Sequence, residues 1–203
     1  FKIFGKKFKE RLEIKEMGGV SGDCLIVGTI GNIRQIKRPV IFVKSLGILQ
    51  DRLDTPCIGI FLGDDREGYE IQLKKINETS GIGERLLFMG FKSNIEEWIG
   101  ACDVIVAPAV GEAFGRTILE SMAVGVPVVA ANADGHKELI RHGENGMLAE
   151  SDNPSSFAGM IHKVVKSQNL RKSIVNVGKQ DVTSYSVQEH AERVVSIYRQ
   201  VDV

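Results

Sequence analysis

The chain has 203 residues, of which 43% are hydrophobic and 26% are charged, as in ordinary globular domains and unlike disordered chains. Its 26 Lys and Arg residues balance 26 Asp and Glu residues, so the formal net charge is zero. This balance argues against a general nucleic-acid or membrane-surface binder, and no apolar run approaches the ~20 residues of a membrane span.

Three features of the sequence bear on domain organisation and location. Residues 1–21 form a locally basic lead-in segment that is expected to be solvated, and residues 22–203 are expected to form one domain. The first residue is Phe1 rather than methionine, which suggests a piece of a longer protein. The three cysteines lie far apart and form no CxxC pair, so reduced, buried thiols in a cytoplasmic protein are expected.

Short apolar runs alternate with helical stretches along the first 150 residues. The runs predict strands at 24–27, 57–62, 86–89, 104–107, 126–130 and 146–149. Helices are predicted at 38–49, 67–78, 94–100, 116–123 and 136–141, followed only by helices at 154–166, 168–178 and 187–200. Continuous apolar runs indicate parallel strands buried on both faces. The fold predicted is therefore an α/β, doubly wound, Rossmann-like sheet of six parallel strands, with helices on both faces and a helical C-terminal tail.

The loop after the fourth predicted strand carries the strongest indication of a ligand site. Residues 108–120 read Pro-Ala-Val-Gly-Glu-Ala-Phe-Gly-Arg-Thr-Ile-Leu-Glu and open a helix near Arg116. The first amides of a helix lack intrahelical acceptors, and with the helix dipole they suit a phosphate. Glu112 and Glu120 flank the turn, and a carboxylate can accept paired hydrogen bonds from vicinal sugar hydroxyls. The alternative is Glu120 on a solvent face and Glu112 as a charge at the helix start.

Other loops end at the same edge of the predicted sheet, where open parallel sheets bind ligands. The loop at 28–38 carries Arg34 and Lys37, which would face a phosphate unless the loop is simply basic and solvated. It matches neither GxGxxG nor a P-loop. Gly90 and Phe91 follow the third strand and could meet a base, although a core position for Phe91 is the alternative.

No metal site is expected. The four histidines make no HxxxH or HxH pattern, which argues against zinc. Asp64 and Asp65 follow a predicted strand in the order Gly-Asp-Asp-Arg, and we interpret them as turn residues.

Five sequence blocks follow one another at fixed spacing. They are Gly90-Phe91, Ala101-Cys-Asp-Val-Ile-Val-Ala-Pro108, Glu112-Ala-Phe-Gly-Arg-Thr-Ile-Leu-Glu120, Ser121-Met-Ala-Val-Gly-Val-Pro-Val-Val-Ala130 and Gly143-Glu-Asn-Gly146. In this order they resemble the C-terminal, donor-binding domain of the group 1 (family 4) retaining glycosyltransferases, which have the GT-B fold. The resemblance covers about residues 22–200.

The resemblance implies a role for each matching position. Glu112 would lie near the hydroxyls of the transferred sugar, Lys37 would neutralise the diphosphate, and Glu120 would hold the ribose hydroxyls. The implied donor-binding positions in the loops and helix starts are Gly28, Thr29, Gly90, Phe91, Phe114, Gly115, Arg116, Thr117 and Ile118.

The sequence departs from the family pattern at two loops. Thr29 stands where members usually have an arginine after the glycine aligned with Gly28, and Lys37 comes late, as if the loop carried an insertion. Arg34 is the candidate to supply the missing cation; the alternative is weak catalysis. Asp134-Gly135 stands where a Gly-Gly pair is common, so the Asp134 side chain is expected to project towards the sugar and alter donor choice.

The resemblance implies transfer of a sugar, with retention, from a nucleotide diphosphate sugar to an acceptor hydroxyl, without a metal cofactor. UDP-sugar is the expected donor, and the acceptor is expected to be a carbohydrate or a lipid-linked molecule in polysaccharide biosynthesis. The missing partner is an N-terminal Rossmann-like domain, so the fragment alone is expected to be inactive. The full-length protein is expected in the cytoplasm or at the inner face of the membrane. The alternatives are a nucleotide-binding regulatory module and another GT-B enzyme, such as a sugar-nucleotide epimerase or a phosphorylase.

Overall fold

The computed structural model of the protein describes residues 9–201. Within them the strands are β1 (Leu25–Ile30), β2 (Cys57–Leu62), β3 (Leu86–Phe88), β4 (Val104–Ala107), β5 (Val128–Ala131) and β6 (Met147–Ala149). The helices are α1 (Lys9–Met17), α2 (Pro39–Gln50), α3 (Tyr69–Asn77), α4 (Ile95–Ala101), α5 (Arg116–Val124), α6 (His136–Leu139), α7 (Pro154–Lys166), α8 (Gln168–Asp181) and α9 (Val187–Val201). Short 3₁₀ turns span Gln35–Lys37, Gly83–Arg85 and Val182–Tyr185.

The strands form one sheet in the order β3-β2-β1-β4-β5-β6, and every neighbouring pair is parallel. This confirms the predicted doubly wound fold. The direction of strand addition reverses between β1 and β4, and ligands of such sheets bind at the carboxyl ends of the strands beside this switch point. The loops after β1 and β4 therefore lie where the fold favours a site.

Strand β1 continues beyond the predicted end of its apolar run. Gly28 pairs with Ile60 of β2 and with Ile105 of β4, so the loop predicted to start at Gly28 starts at Gly31 instead. A Cβ on Gly28 would lie 2.8 Å from the Cys102 sulfur. The glycine is thus a packing requirement inside a strand, and the β-branched residues after it favour extended backbone.

The core lies on both faces of the sheet, because successive strand residues point to opposite sides. Leu25 and Val27 pack with Phe42 of α2 and Phe157 of α7 on one face. Ile26 packs on the other face, where α1, α4, α5 and α6 cover the sheet. Continuous apolar strands were predicted for this reason, since neither face meets water.

The first helix is part of this core. Ile14 of α1 is fully buried, and Arg11 donates to the carboxylate of Asp103 at 3.2 and 3.1 Å. Arg11 also donates to the carbonyls of Ala101 at 2.8 Å and Cys24 at 3.0 Å. The prediction of a solvated lead-in is therefore wrong for residues 9–17, while residues 1–8 lie outside the described part.

The last helix leaves apolar side chains in solvent. Val195, Ile197 and Tyr198 of α9 are 46%, 61% and 68% exposed. Among residues 9–201, no helix combines the length and the apolar character needed to cross a membrane.

Candidate functional site

Lys37 and Glu112 meet at the carboxyl edge of the sheet, although they are 75 residues apart in sequence. Lys37 lies in the 3₁₀ turn after β1, and Glu112 lies in the loop after β4. Their side chains form an ion pair and are 30% and 27% exposed. The strand order brings the loops together, since β1 and β4 are neighbours.

The start of α5 offers free backbone donors beside this pair. Gly115 precedes the helix with φ +78, a conformation that favours glycine. In the part of the chain that the structure describes, the amides of Arg116 and Thr117 donate to no acceptor, while the amide of Ile118 turns back to the Gly115 carbonyl at 2.9 Å. With the helix dipole, these amides can bind an anion.

Glu120 lies one turn into α5 and is paired with Arg116 at 3.4 Å. The Arg116 side chain is 83% exposed, so the ion pair contributes little to stability and can be exchanged for another partner. Phe114 is 45% exposed and its ring centroid lies 6.0 Å from that of Tyr185, which follows α8.

The loop after β5 closes the site from a third side. Asp134 has φ +43, and its carboxylate accepts the Gly111 amide at 2.6 Å. The next amide, that of Gly135, donates to the Glu112 carbonyl at 3.2 Å. A Cβ at position 135 would lie 2.5 Å from the Ala113 carbonyl oxygen, so only glycine fits there. The Asp134 carboxylate thus lies against the neighbouring loop, and its expected effect on the choice of sugar stays a prediction.

The loop after β3 presents an aromatic ring to solvent. Phe91 is 73% exposed, so the alternative core position for this ring is wrong. Its amide donates to Asp64 at 3.1 Å, and the Gly90 carbonyl accepts the Gly63 amide at 2.9 Å. The next residue, Lys92, places its ammonium 4.2 Å from the ring centroid of Trp98, an indole only 4% exposed.

Of the two residues interpreted as turn residues, Asp65 makes local hydrogen bonds, whereas Asp64 accepts the Phe91 amide from the loop after β3. Asp65 accepts the amides of Tyr69 and Glu70 at 3.0 and 2.8 Å, at the start of α3. Burial, though slight, raises the pKa of Asp65, but these amide hydrogen bonds prevail and leave it below its ordinary value.

Three predicted site residues lie elsewhere than expected. The Arg34 guanidinium is 3.7 Å from Glu67, in the loop after β2, and its side chain is 47% exposed. Gly28 is buried within β1, and Thr29 is a half-buried residue of the same strand. The structure therefore brings Lys37 to Glu112 but gives Arg34 a different partner.

Sequence reasoning gave His136 no role in this region. The residue is 2% exposed, and its Nδ1 atom is buried without a hydrogen-bond partner among the described residues. Its Cδ2 atom would lie 3.1 Å from a Cβ at Gly115, so the ring supports the turn before α5. Burial lowers its pKa from the ordinary 6.5. The sequence predicted a helix start preceded by a glycine, but it did not predict that the imidazole ring is buried.

We expect His136 to make folding stability depend on pH. Because its folded pKa is lowered, the unfolded chain binds more protons as pH falls through 6.5, and stability is lost there by up to ~1.4 kcal/mol per pH unit. His136→Phe keeps a ring without a titratable nitrogen and should flatten this slope in urea unfolding between pH 7.5 and about pH 5. His162→Gln is the matched control. Equal slopes for wild type and His136→Phe would contradict the prediction.

No group of three or more His, Cys, Asp or Glu side chains is placed to hold a metal ion in the region that the structure describes. His190, one of the four histidines of the sequence, has a side chain outside that description.

Comparison with known proteins decides the family. The model of the family "Glycosyl transferases group 1" matches residues 10–181. The chain belongs to the group 1 glycosyltransferases. The resemblance found in the sequence is thereby confirmed, and the match extends over most of α1, which the sequence assigned to a lead-in segment.

Solved structures of similar proteins show the same fold. The C-terminal domain of a group 1 glycosyltransferase from Francisella tularensis aligns with a TM-score of 0.77 at 23% identity, over 91% of this chain and 97% of that one. The Anabaena protein HepE, in complex with UDP and glucose, aligns with a TM-score of 0.78 at 25% identity, over 96% of this chain and 54% of that one.

A curated relative extends the family comparison. An uncharacterized glycosyltransferase of Methanocaldococcus jannaschii is 28% identical over 195 residues, which are 95% of this group 1 chain and 49% of the relative. The chain spans about half the length of the curated relatives it matches.

Proposed function

We propose that this glycosyltransferase domain binds a nucleotide diphosphate sugar through the loops at the carboxyl edge of its sheet. The observation that carries the proposal is the Lys37–Glu112 ion pair, which sits with the free amides of α5 at the switch point between β1 and β4. The Anabaena structure, a complex with UDP and glucose, supports a UDP-sugar as the donor.

The proposed diphosphate site combines Lys37 with the amides at the start of α5. A diphosphate would compete with Glu112 for the Lys37 ammonium, since phosphate oxygens are strong acceptors of charged hydrogen bonds. Glu112 would then be free to accept hydroxyls of the sugar. Glu120 would exchange its exposed partner Arg116 for the ribose hydroxyls, and the ring of Phe91 would lie against the base.

The proposed reaction transfers the sugar to an acceptor hydroxyl with retention of configuration. The diphosphate gains negative charge as its bond to the sugar breaks. Lys37 and the α5 amides would stabilise that charge more in the transition state than in the ground state, which is what accelerates the step. The acceptor hydroxyl would attack from the front face without a protein nucleophile, as the family resemblance implies.

Binding of the acceptor is proposed for the whole protein and not for this chain alone. We propose that an N-terminal Rossmann-like domain supplies most of a site for a carbohydrate or lipid-linked acceptor, and that this chain alone binds the donor without transferring sugar. We also propose a cytoplasmic location, which three free, buried thiols support. Sugar transfer to a defined acceptor by the purified chain would contradict the proposal that this chain alone binds the donor without transferring sugar.

Thermal unfolding of the 203-residue chain with UDP, GDP, ADP and UDP-glucose tests the proposal. A ligand at 100 times its Kd should add about 2.7 kcal/mol to the free energy of unfolding. Glu120→Ala is expected to abolish the shift with UDP. Glu112→Gln should keep the UDP shift and lose only the increment from glucose.

A control variant and the opposite pattern make this test decisive. Glu78→Ala removes an exposed glutamate that follows α3 and should change neither shift. If Glu112→Gln abolished UDP binding and Glu120→Ala removed only the glucose increment, the two roles would be reversed. Absence of a shift with every nucleotide would contradict donor binding.

A further inference from the structure

One hydrogen bond ties the loop after β5 to the loop after β4. The Asp134 carboxylate accepts the Gly111 amide at 2.6 Å across 23 residues of sequence, and we call this contact the Asp134 latch. Both residues are exposed, so water could satisfy either group if the latch opened. A hydrogen bond that water can replace contributes little to folding stability. The effect to look for is therefore on the relative position of the two loops.

The backbone at the latch is held in an uncommon conformation. Asp134 has φ +43, one of three left-handed values among the non-glycine residues of the described chain, with Arg38 and Asp152. Such backbone is tolerated best by Asn and Asp, whose short polar side chains bond locally, and it persists where the surroundings determine it. Here the surroundings include the Gly111 amide.

The latch acts on the residues next to Glu112. Gly111 directly precedes Glu112, and the Gly135 amide donates to the Glu112 carbonyl at 3.2 Å. Gly135 also lies against the Ala113 carbonyl with no room for a side chain. Residues 111 and 112 are thus hydrogen-bonded to residues 134 and 135 at two successive points, and Gly135 packs closely against Ala113 beside them.

We propose that Asp134 is a positioning residue for Glu112. Its carboxylate holds the Gly111 amide, and this sets the backbone from which the Glu112 side chain reaches Lys37 and, in the proposed function on which this inference rests, the sugar. Asp134 therefore influences the choice of sugar through Glu112, rather than by touching the sugar itself.

Amide hydrogen exchange of the 203-residue chain, measured by NMR, tests the latch without any ligand. Asp134→Ala should speed exchange at both the Gly111 and the Gly135 amides by at least tenfold. Asp134→Asn keeps an oxygen acceptor and should restore protection. Asp134→Gly relieves the left-handed backbone but removes the acceptor, so it should behave as Asp134→Ala does.

Asp152→Ala is the matched control, because Asp152 is an aspartate with φ +57 that pairs with Arg38 at 3.0 Å. It should leave both glycine amides unchanged. Protection that returns in Asp134→Gly would assign the effect to backbone strain and overturn the latch. Faster exchange at Gly111 with no change at Gly135 would overturn the positioning of Glu112.

Titration calorimetry with UDP and UDP-glucose then separates this inference from the proposed function. Asp134→Ala should leave the Kd for UDP within twofold and raise the Kd for UDP-glucose about tenfold, with rescue by Asp134→Asn. If Asp134→Asn failed to rescue binding, the carboxylate would contact the sugar directly. If wild type bound neither probe, the proposed function would fail, and the exchange data would still decide whether the latch exists.

Discussion

Arg11→Ala is expected to lower the free energy of unfolding by about 3–5 kcal/mol, because it leaves a buried aspartate without its main counter-charge. The Asp103 side chain is 2% exposed, and its other cationic neighbour, Arg171, is 3.7 Å away. Burial raises the pKa of the Asp103 carboxyl, and Arg11 acts in the opposite direction. Urea unfolding measures the loss, which in a domain of this size lowers Tm by roughly 10 °C.

Two further variants make this prediction specific. Glu16→Ala changes an exposed residue of the same helix and should stay within about 0.5 kcal/mol of wild type. Asp103→Asn in the Arg11→Ala background removes the buried charge that has lost its main partner and should recover part of the loss. A loss below about 1 kcal/mol for Arg11→Ala would show that the pair behaves like an exposed salt bridge.

Lys37→Ala is expected to weaken UDP binding by the chain about 10- to 100-fold, the effect of removing a charged hydrogen bond worth ~1.5–3 kcal/mol. In the full-length enzyme, turnover should fall by about a hundredfold or more, because the lost donor acts on charge that develops in the transition state. Calorimetry measures the first effect and a sugar-transfer assay the second.

Arg34→Ala separates the two predicted cations. Arg34 contacts Glu67 rather than Glu112, so its removal should change UDP affinity much less than the loss of Lys37 does. Lys44→Ala, at an exposed position of α2, is the control for net charge. Unchanged turnover in Lys37→Ala would mean that this cation does not serve catalysis. Absence of sugar transfer by the wild-type full-length protein would favour the alternative of a nucleotide-binding regulatory module.

The fold could be predicted because its strands are buried on both faces and therefore appear as continuous apolar runs. The first helix could not, since α1 buries one apolar side chain, Ile14, among charged residues. Its anchor, the contact of Arg11 with Asp103, joins positions 92 residues apart, and no local pattern reveals such a partner. The extension of β1 past Gly28 could not be predicted either. The glycine is required by packing against Cys102, which is distant in sequence.

The sequence pointed to individual residues of the candidate site, but it could not predict which of them contact each other. Lys37 and Glu112 were each singled out, but their pairing depends on β1 lying beside β4, which requires the strand order. Asp134 was noticed as a departure from a glycine, yet its target, the Gly111 amide, lies in another loop. The burial of His136 could not be predicted, because it results from tertiary packing.

The position of Trp98 has a practical consequence. It is the only tryptophan of the sequence, so all indole fluorescence of the chain comes from one ring. That ring is buried beneath the ammonium of Lys92, the residue after Phe91. The protein thus carries an intrinsic optical reporter next to the loop that we propose meets the base, and its emission needs no separation from a second chromophore of the same kind.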